Sequence, residues 1–258
     1  MADKKKRALV IVPFALDAAG VANRKAQTKA VKLGPDIDFD FRPVTAGPTS
    51  FMSHHDVALM EMGIFEAAMD AEKDGYDAVV IDTMSDSGMG PLRSMLKIPV
   101  IGPGRASMFF ALMLGSKFSV LAQWEPSIPR IKRALQEYGL AAHVPSIEHF
   151  DTPPDFASLL DGKEEKVFPK MKAACERAID KGAEVICMGS TTMHQAAAYL
   201  ADNLPVPVIN PGPLSYKLVE LMLGLNLSHS KKTYPAPLAP KPEMVRAMMK
   251  AAAATEKK

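Results

Sequence analysis

Gly75-Tyr76-Asp77-Ala78-Val79-Val80-Ile81-Asp82-Thr83 returns later in the chain as Gly182-Ala183-Glu184-Val185-Ile186-Cys187-Met188-Gly189-Ser190. Each stretch is a short continuous apolar run that ends on a hydroxyl residue. The runs are too short for helices and lack the alternation of a half-exposed strand, so they fit strands buried on both faces of a parallel sheet. A polar turn and a helix-length stretch follow in both copies. A second apolar run then appears: Ile98-Pro99-Val100-Ile101-Gly102-Pro103-Gly104 and Val206-Pro207-Val208-Ile209-Asn210-Pro211-Gly212.

The same register extends outward. Ala8 to Val12 opens the first copy and Phe118 to Ala122 the second, with Phe39 to Val44 and Val144 to His149 as second strands. Helical patterns fill the gaps at His55 to Lys73, Ile128 to Tyr138, Val167 to Lys181 and Gln195 to Leu204. The order is βαβαβαβ, twice. It predicts an α/β fold of two pseudo-symmetric, doubly wound, flavodoxin-like domains with a cleft between them. Residues 1–103 with 212–258 are expected to form the first domain and 104–211 the second. Agreement at four element positions argues for duplication over coincidence.

Composition narrows the function. Thirty-one Lys and Arg against 29 Asp and Glu leave a net charge of +2, too balanced for a nucleic-acid surface. The longest apolar stretch, Ala106 to Leu114, is far short of the ~20 residues a membrane span needs. The basic opening Met1-Ala2-Asp3-Lys4-Lys5-Lys6-Arg7 lacks the long apolar segment of a secretory signal, so a cytoplasmic protein is expected. Cys175 and Cys187 give neither a disulfide framework nor a metal-ligand cluster. Gly-x-Gly-x-x-Gly and phosphate-loop patterns are missing, so no nucleotide cofactor and no metal are expected.

Ligands of open parallel sheets bind beyond the carboxyl ends of the strands. The segments there are Pro13-Phe14, Thr45 to Ser50, Thr83 to Gly90, Gly102-Pro103-Gly104, Gln123-Trp124, Ser190-Thr191-Thr192 and Asn210-Pro211-Gly212. A helix opening at Ser190-Thr191-Thr192 would aim free N–H groups at the cleft, a cradle for a carboxylate or an enolate-like anion. Singly, these hydroxyls read equally as helix caps. As a symmetric pair, Thr83 and Ser190 favour a site.

The chain resembles the Asp/Glu/hydantoin racemase superfamily, most of all its hydantoin racemase branch. The matching stretches are Gly47-Pro48-Thr49-Ser50, Gly75 to Ile81, Leu92-Arg93, Ile98 to Gly102 and Gly189-Ser190-Thr191. The resemblance implies two α/β domains closing over a small carboxylate or cyclic amide or imide, without any cofactor, in a homo-oligomer. It also implies two opposed cysteines as proton donor and acceptor, and those positions fall at Thr83 and Ser190. Both thiols are missing. A hydroxyl titrates far above a thiol, so two-base thiol racemisation is not expected. Cys187, inside its strand, and Cys175, in a helical segment, read as packed residues.

The proton work then passes to other groups. Asp82 and Asp86 flank Thr83, and His194 lies four residues past Ser190. With Thr83 and Ser190 they form the candidate catalytic set. Pro13, Phe14, Thr49, Ser50, Ser85, Thr191, Thr192, His54 and Arg105 are candidate substrate-binding residues. Asp86 reads equally as a turn or cap residue, and His194 as facing cleft or solvent. His54 reads equally as part of a helix start, and Arg105 as a surface ion pair. His229 and Lys231 sit in a late loop that could cover the cleft as a lid. Tyr234 to Pro240 reads as a strap on the first domain and the tail from Lys241 as a helix fraying into solvent, while the resemblance implies that this tail returns to the first domain. The superfamily also includes decarboxylases, so an isomerase acting through an enolate-like intermediate leads and a lyase follows. A binding protein that has lost catalysis is the third reading.

Overall fold

A computed structural model describes residues 5–153 and 162–256 of the chain. Residues 1–4 of the basic opening and the last two lysines lie outside them. The first copy runs β1 (Lys6–Val12), α1 (Ala18–Lys25), β2 (Ile37–Pro43), α2 (His54–Ala68), β3 (Ala78–Ile81), α3 (Met89–Met95), β4 (Val100–Ile101) and α4 (Pro103–Leu114). The second runs β5 (Phe118–Ala122), α5 (Ile128–Glu137), β6 (Ile147–His149), α6 (Glu164–Asp180), β7 (Val185–Met188), α7 (Ala197–Asn203), β8 (Val208–Ile209) and α8 (Pro211–Gly224). A last helix, α9, spans Pro242–Glu256.

The strands form two four-stranded parallel sheets of the same topology, β2-β1-β3-β4 and β6-β5-β7-β8. Every residue of β3 and β7 is buried, as their unbroken apolar runs require. The entry into each is built alike. Gly75 and Gly182 have φ of +80° and +97°, a region that strains any residue with a Cβ, and they turn the chain from helix into strand. Two residues on, an acid pins the neighbouring strand. Asp77 accepts the Arg7 N–H at 2.9 Å, and Glu184 accepts those of Ser116 and Lys117 at 2.6 and 3.2 Å.

Some boundaries differ from the sequence reading. The sixth strand begins at Ile147, because the chain before it makes a 3₁₀ turn over Ala141–His143. The stretch expected as one helix from Gln195 instead opens as a 3₁₀ turn over Thr191–Ala196 and becomes α-helical in α7. The tail does not fray. Val245 and Met249 of α9 pack on Ala46 and Met69, and Arg246 pairs with Asp70. Nor is the late loop a lid. His229 Nε2 lies 2.9 Å from the Leu96 carbonyl oxygen, and Lys231 donates to the carbonyls of Arg93 and Leu96 at 2.6 Å. These contacts close the end of α3, whose last carbonyls have no partner within the helix. Tyr234 accepts a hydrogen bond from Arg93 at 3.0 Å, which ties the proline-rich strap to the first half. The α4 helix packs on β5 and β7 of the second sheet, α8 on β3 and β4 of the first, and the two helices pack on each other.

Candidate functional site

A cavity of about 50 Å³ lies at the carboxyl ends of the strands. Its lining is pseudo-symmetric. Pro13 and Phe14 follow β1 and Gln123 and Trp124 follow β5, while Asp82, Thr83 and Met84 follow β3 and Gly189 to Thr192 follow β7. Thr83 and Ser190, far apart in sequence, thus face one space. A second cavity of about 420 Å³ shares Met84, Arg130 and Gly189 with the first, and its lining includes apolar Val57, Met108, Val120 and Ile131 as well as Glu61, Arg133 and Glu137.

A hydroxyl chain runs from each strand end. Thr83 Oγ1 lies 3.2 Å from Ser85 Oγ, which lies 2.8 Å from Ser87 Oγ. On the other side Ser190 Oγ is 2.8 Å from Thr192 Oγ1, and Thr192 donates to Gln123 Oε1 at 2.9 Å. Ser190 also caps the 3₁₀ turn, its Oγ accepting the Thr192 N–H at 3.2 Å. Thr191 bridges the halves by donating to the Asp82 carbonyl oxygen at 3.1 Å.

Behind this wall lies a buried ion pair. Arg24 Nη1 donates to Asp82 Oδ2 at 3.1 Å and to Thr191 Oγ1 at 3.3 Å, and Gln27 Nε2 reaches both Asp82 oxygens at 3.2 Å. Burial pushes the Asp82 carboxyl above the usual range, against the pull of the Arg24 charge and the Gln27 hydrogen bond. Close packing here needs glycine. A Cβ on Gly212 would stand 2.2 Å from Gln27 Oε1, and one on Gly104 would stand 2.1 Å from the Met84 carbonyl oxygen. Arg130 of α5 supplies a second cation. Its guanidinium lies 4.1 Å from the centre of the Phe51 ring, and burial lowers its pKa to about 10.

The structure separates the sequence candidates. Pro13, Phe14, Asp82, Thr83, Ser190, Thr191 and Thr192 line the inner cavity, and His54 and Ser85 the outer one. Asp86 lines neither. Its carboxylate accepts the N–H groups of Gly104 and Arg105 at 2.9 and 2.6 Å and the Tyr138 hydroxyl at 2.8 Å, so it holds the start of α4. Burial raises its pKa as well, opposed by those hydrogen bonds. His194 is buried beside Arg24, and burial with that charge lowers its pKa to about 4. It too lies outside both linings. Arg105 points elsewhere, its guanidinium 5.5 Å from the rings of Phe109 and Tyr138 in a surface groove. Thr49 is exposed, and Ser50 donates to Asp56 at 3.2 Å near the start of α2, while the next residue, Phe51, lines the cavity.

Arg24, Phe51, Ser127 and Arg130 are lining residues that the sequence reading missed. Cys187 donates to the Ser107 carbonyl oxygen at 3.3 Å with its thiol pKa raised by burial, and burial takes the Cys175 thiol to about 12. Neither lines a cavity. Among the described residues no cluster of three or more His, Cys, Asp or Glu could hold a metal ion, and no helix is long and apolar enough to cross a membrane.

Known proteins are similar to this chain in sequence and fold. The hydantoin racemase of Pseudomonas sp. (strain NS671) is 29% identical over 228 residues, covering 86% of this chain and 85% of that protein. The structure of allantoin racemase from Klebsiella pneumoniae superposes with a TM-score of 0.83 at 28% identity, covering 92% of this chain and 95% of that one. Allantoin racemase from Pseudomonas fluorescens gives 0.81 at 25% identity, over 91% and 98%. Residues 21–219 match the Asp/Glu/hydantoin racemase family, and the chain belongs to that family.

Proposed function

We propose that the chain is a cofactor-independent enzyme that carries a small carboxylate or cyclic amide through an enolate-like intermediate. Thr83, Ser190 and Thr192 hold the developing oxyanion, and Asp82 moves the proton. One observation carries this reading: Thr83 and Ser190, at matching strand ends, line a single cavity with a buried carboxyl beside them. Preorganised hydroxyls in a dry site stabilise charge that appears only during reaction. Desolvation raises the proton affinity of a carboxyl, the direction that a general acid or base requires.

The steps balance simply. In isomerisation the Asp82 carboxylate accepts the proton next to the substrate carbonyl, the bonding pair becomes the enolate, and the proton returns to carbon. In decarboxylation the carbon–carboxylate bond breaks, carbon dioxide leaves, and the Asp82 carboxyl protonates the enolate. A specific observation favours the second course. Among the described residues Asp82 is the one carboxyl in the inner lining, and the Ser190 side offers Thr192 and the Gln123 amide.

Solvent exchange tests the proposal. In deuterium oxide the enzyme places deuterium on the reacting carbon, read by proton NMR, with carbon dioxide release marking a lyase. Binding without exchange or release would identify a non-catalytic ligand protein. The two buried free thiols suit a reducing compartment such as the cytoplasm. Exposed Phe109 and Met113 of α4 and Leu221 of α8 offer an apolar face for homo-oligomerisation.

A further inference from the structure

We propose that Arg130 recognises a substrate carboxylate, and that the substrate is therefore a small carboxylic acid bearing an apolar substituent, not a neutral cyclic amide. The inference rests on the cavity being a substrate site. It goes further by naming the chemical class that fits.

Two guanidiniums and one carboxylate line the inner cavity. Arg24 is matched to Asp82. Arg130 has no carboxylate within ion-pair distance among the described residues, and its guanidinium stacks over the face of the Phe51 ring. Stacking on a ring fixes the plane of a guanidinium and leaves its edge N–H groups free for a planar, two-oxygen partner. A half-buried cation without a counter-charge is costly, and an incoming carboxylate relieves that cost where a neutral amide does not. Burial already weakens the hold of Arg130 on its own proton.

The position of Arg130 sets the shape of the ligand. It stands with Met84 and Gly189 at the junction of the two cavities. A carboxylate held there has the hydroxyls of Thr83 and Ser190 on its inner side. Its substituent faces the larger space lined by Val57, Met108, Val120 and Ile131. Gly189 lets β7 lie close against β5 at this point, since a Cβ there would come within 2.7 Å of the Leu121 carbonyl oxygen. The outer cavity also carries charge: Glu61 of α2 lines it, and Arg133 and Glu137 of α5 pair with each other at 2.8 Å.

Isothermal titration of the full chain with 2-phenylpropanoate, its neutral amide 2-phenylpropanamide, and 5-benzylhydantoin tests this. The acid is expected to bind about ten- to a hundredfold more tightly than the amide, the range of one charged hydrogen-bonded contact. Arg130→Gln should erase that preference, and Arg130→Lys should keep part of it, with thermal melts confirming that both variants fold. Binding of the amide or the hydantoin as tight as the acid overturns the proposal. So does an acid preference that survives Arg130→Gln, or failure of the acid to bind. The titration involves no turnover, so an Arg130-dependent preference without proton exchange or carbon dioxide release would sink only the enzymatic reading. Exchange on a hydantoin that ignores Arg130 would sink only this one.

Discussion

Acidification should expose His194 as a buried neutral group. Its side chain is 8% exposed and lies beside the Arg24 charge, and its pKa falls from 6.5 to about 4. The unfolded chain therefore takes up this proton first as the pH drops. With the folded value depressed, the stabilisation is complete above about pH 6.5 and drains away as the pH falls toward 4. The full gap corresponds to about 3 kcal/mol, and about 2.5 kcal/mol of it is gone by pH 4.5. Urea unfolding followed by the fluorescence of Trp124, the single tryptophan, measures this. Other groups also titrate in that range, so the quantity to compare is wild type against His194→Gln at pH 7.5 and 4.5. The variant should lose about 2 to 3 kcal/mol less over the interval, with turnover close to wild type. Parallel losses in the two proteins would show that His194 is not held neutral. A collapse of turnover in His194→Gln would return the residue to the chemistry.

Asp82→Asn should cut solvent exchange by about a hundredfold or more, and it leaves Arg24 buried without its counter-charge, at about 3 kcal/mol in denaturant unfolding. Asp86→Asn should behave in the opposite way: it loses about 1 to 3 kcal/mol of stability through weakened bonds to α4 while exchange per folded molecule stays within a few-fold. The left-handed φ of +54° at Asp86 is one that Asn also tolerates, so the change isolates the carboxylate. Combining Thr83→Cys with Ser190→Cys places a titratable thiol on each wall, and racemisation followed by polarimetry should rise by about a hundredfold over wild type.

The fold was legible because the two buried strands announce themselves. Ala78–Ile81 and Val185–Met188 are unbroken apolar runs behind a glycine, and the strand ends they imply locate Thr83, Ser190 and their neighbours. The cations were not legible. Arg24 follows Asn23 and precedes Lys25, and Arg130 precedes Lys132 and Arg133, so both read as ordinary solvated helix residues. Only the packing of α1 and α5 around the strand ends brings them to the cavity. Arg105, with a more suggestive glycine-rich context, turns the other way. His194 shows how a small geometric difference decides a role. In a 3₁₀ turn, residues three apart eclipse each other, so His194 follows Thr191 inward to Arg24.

The asymmetry of the walls has a stereochemical consequence. A thiol on each side can remove a proton from one face of a planar intermediate and return one to the other. This chain keeps the pseudo-symmetric frame, but among the described lining residues the carboxyl of Asp82 stands at the β3 end, while the β7 end presents Ser190, Thr192 and the Gln123 amide. On the proposed chemistry, an enolate held between these walls would receive its proton from the first half alone. A prochiral disubstituted malonate should therefore give one enantiomer of the product acid, and Asp82→Asn should slow product formation without changing which enantiomer dominates any residual product. Chiral chromatography of the product reads this directly. A racemic product from the wild-type enzyme would mean that both faces are supplied with protons, and that a second acid, other than Asp82, serves the β7 side.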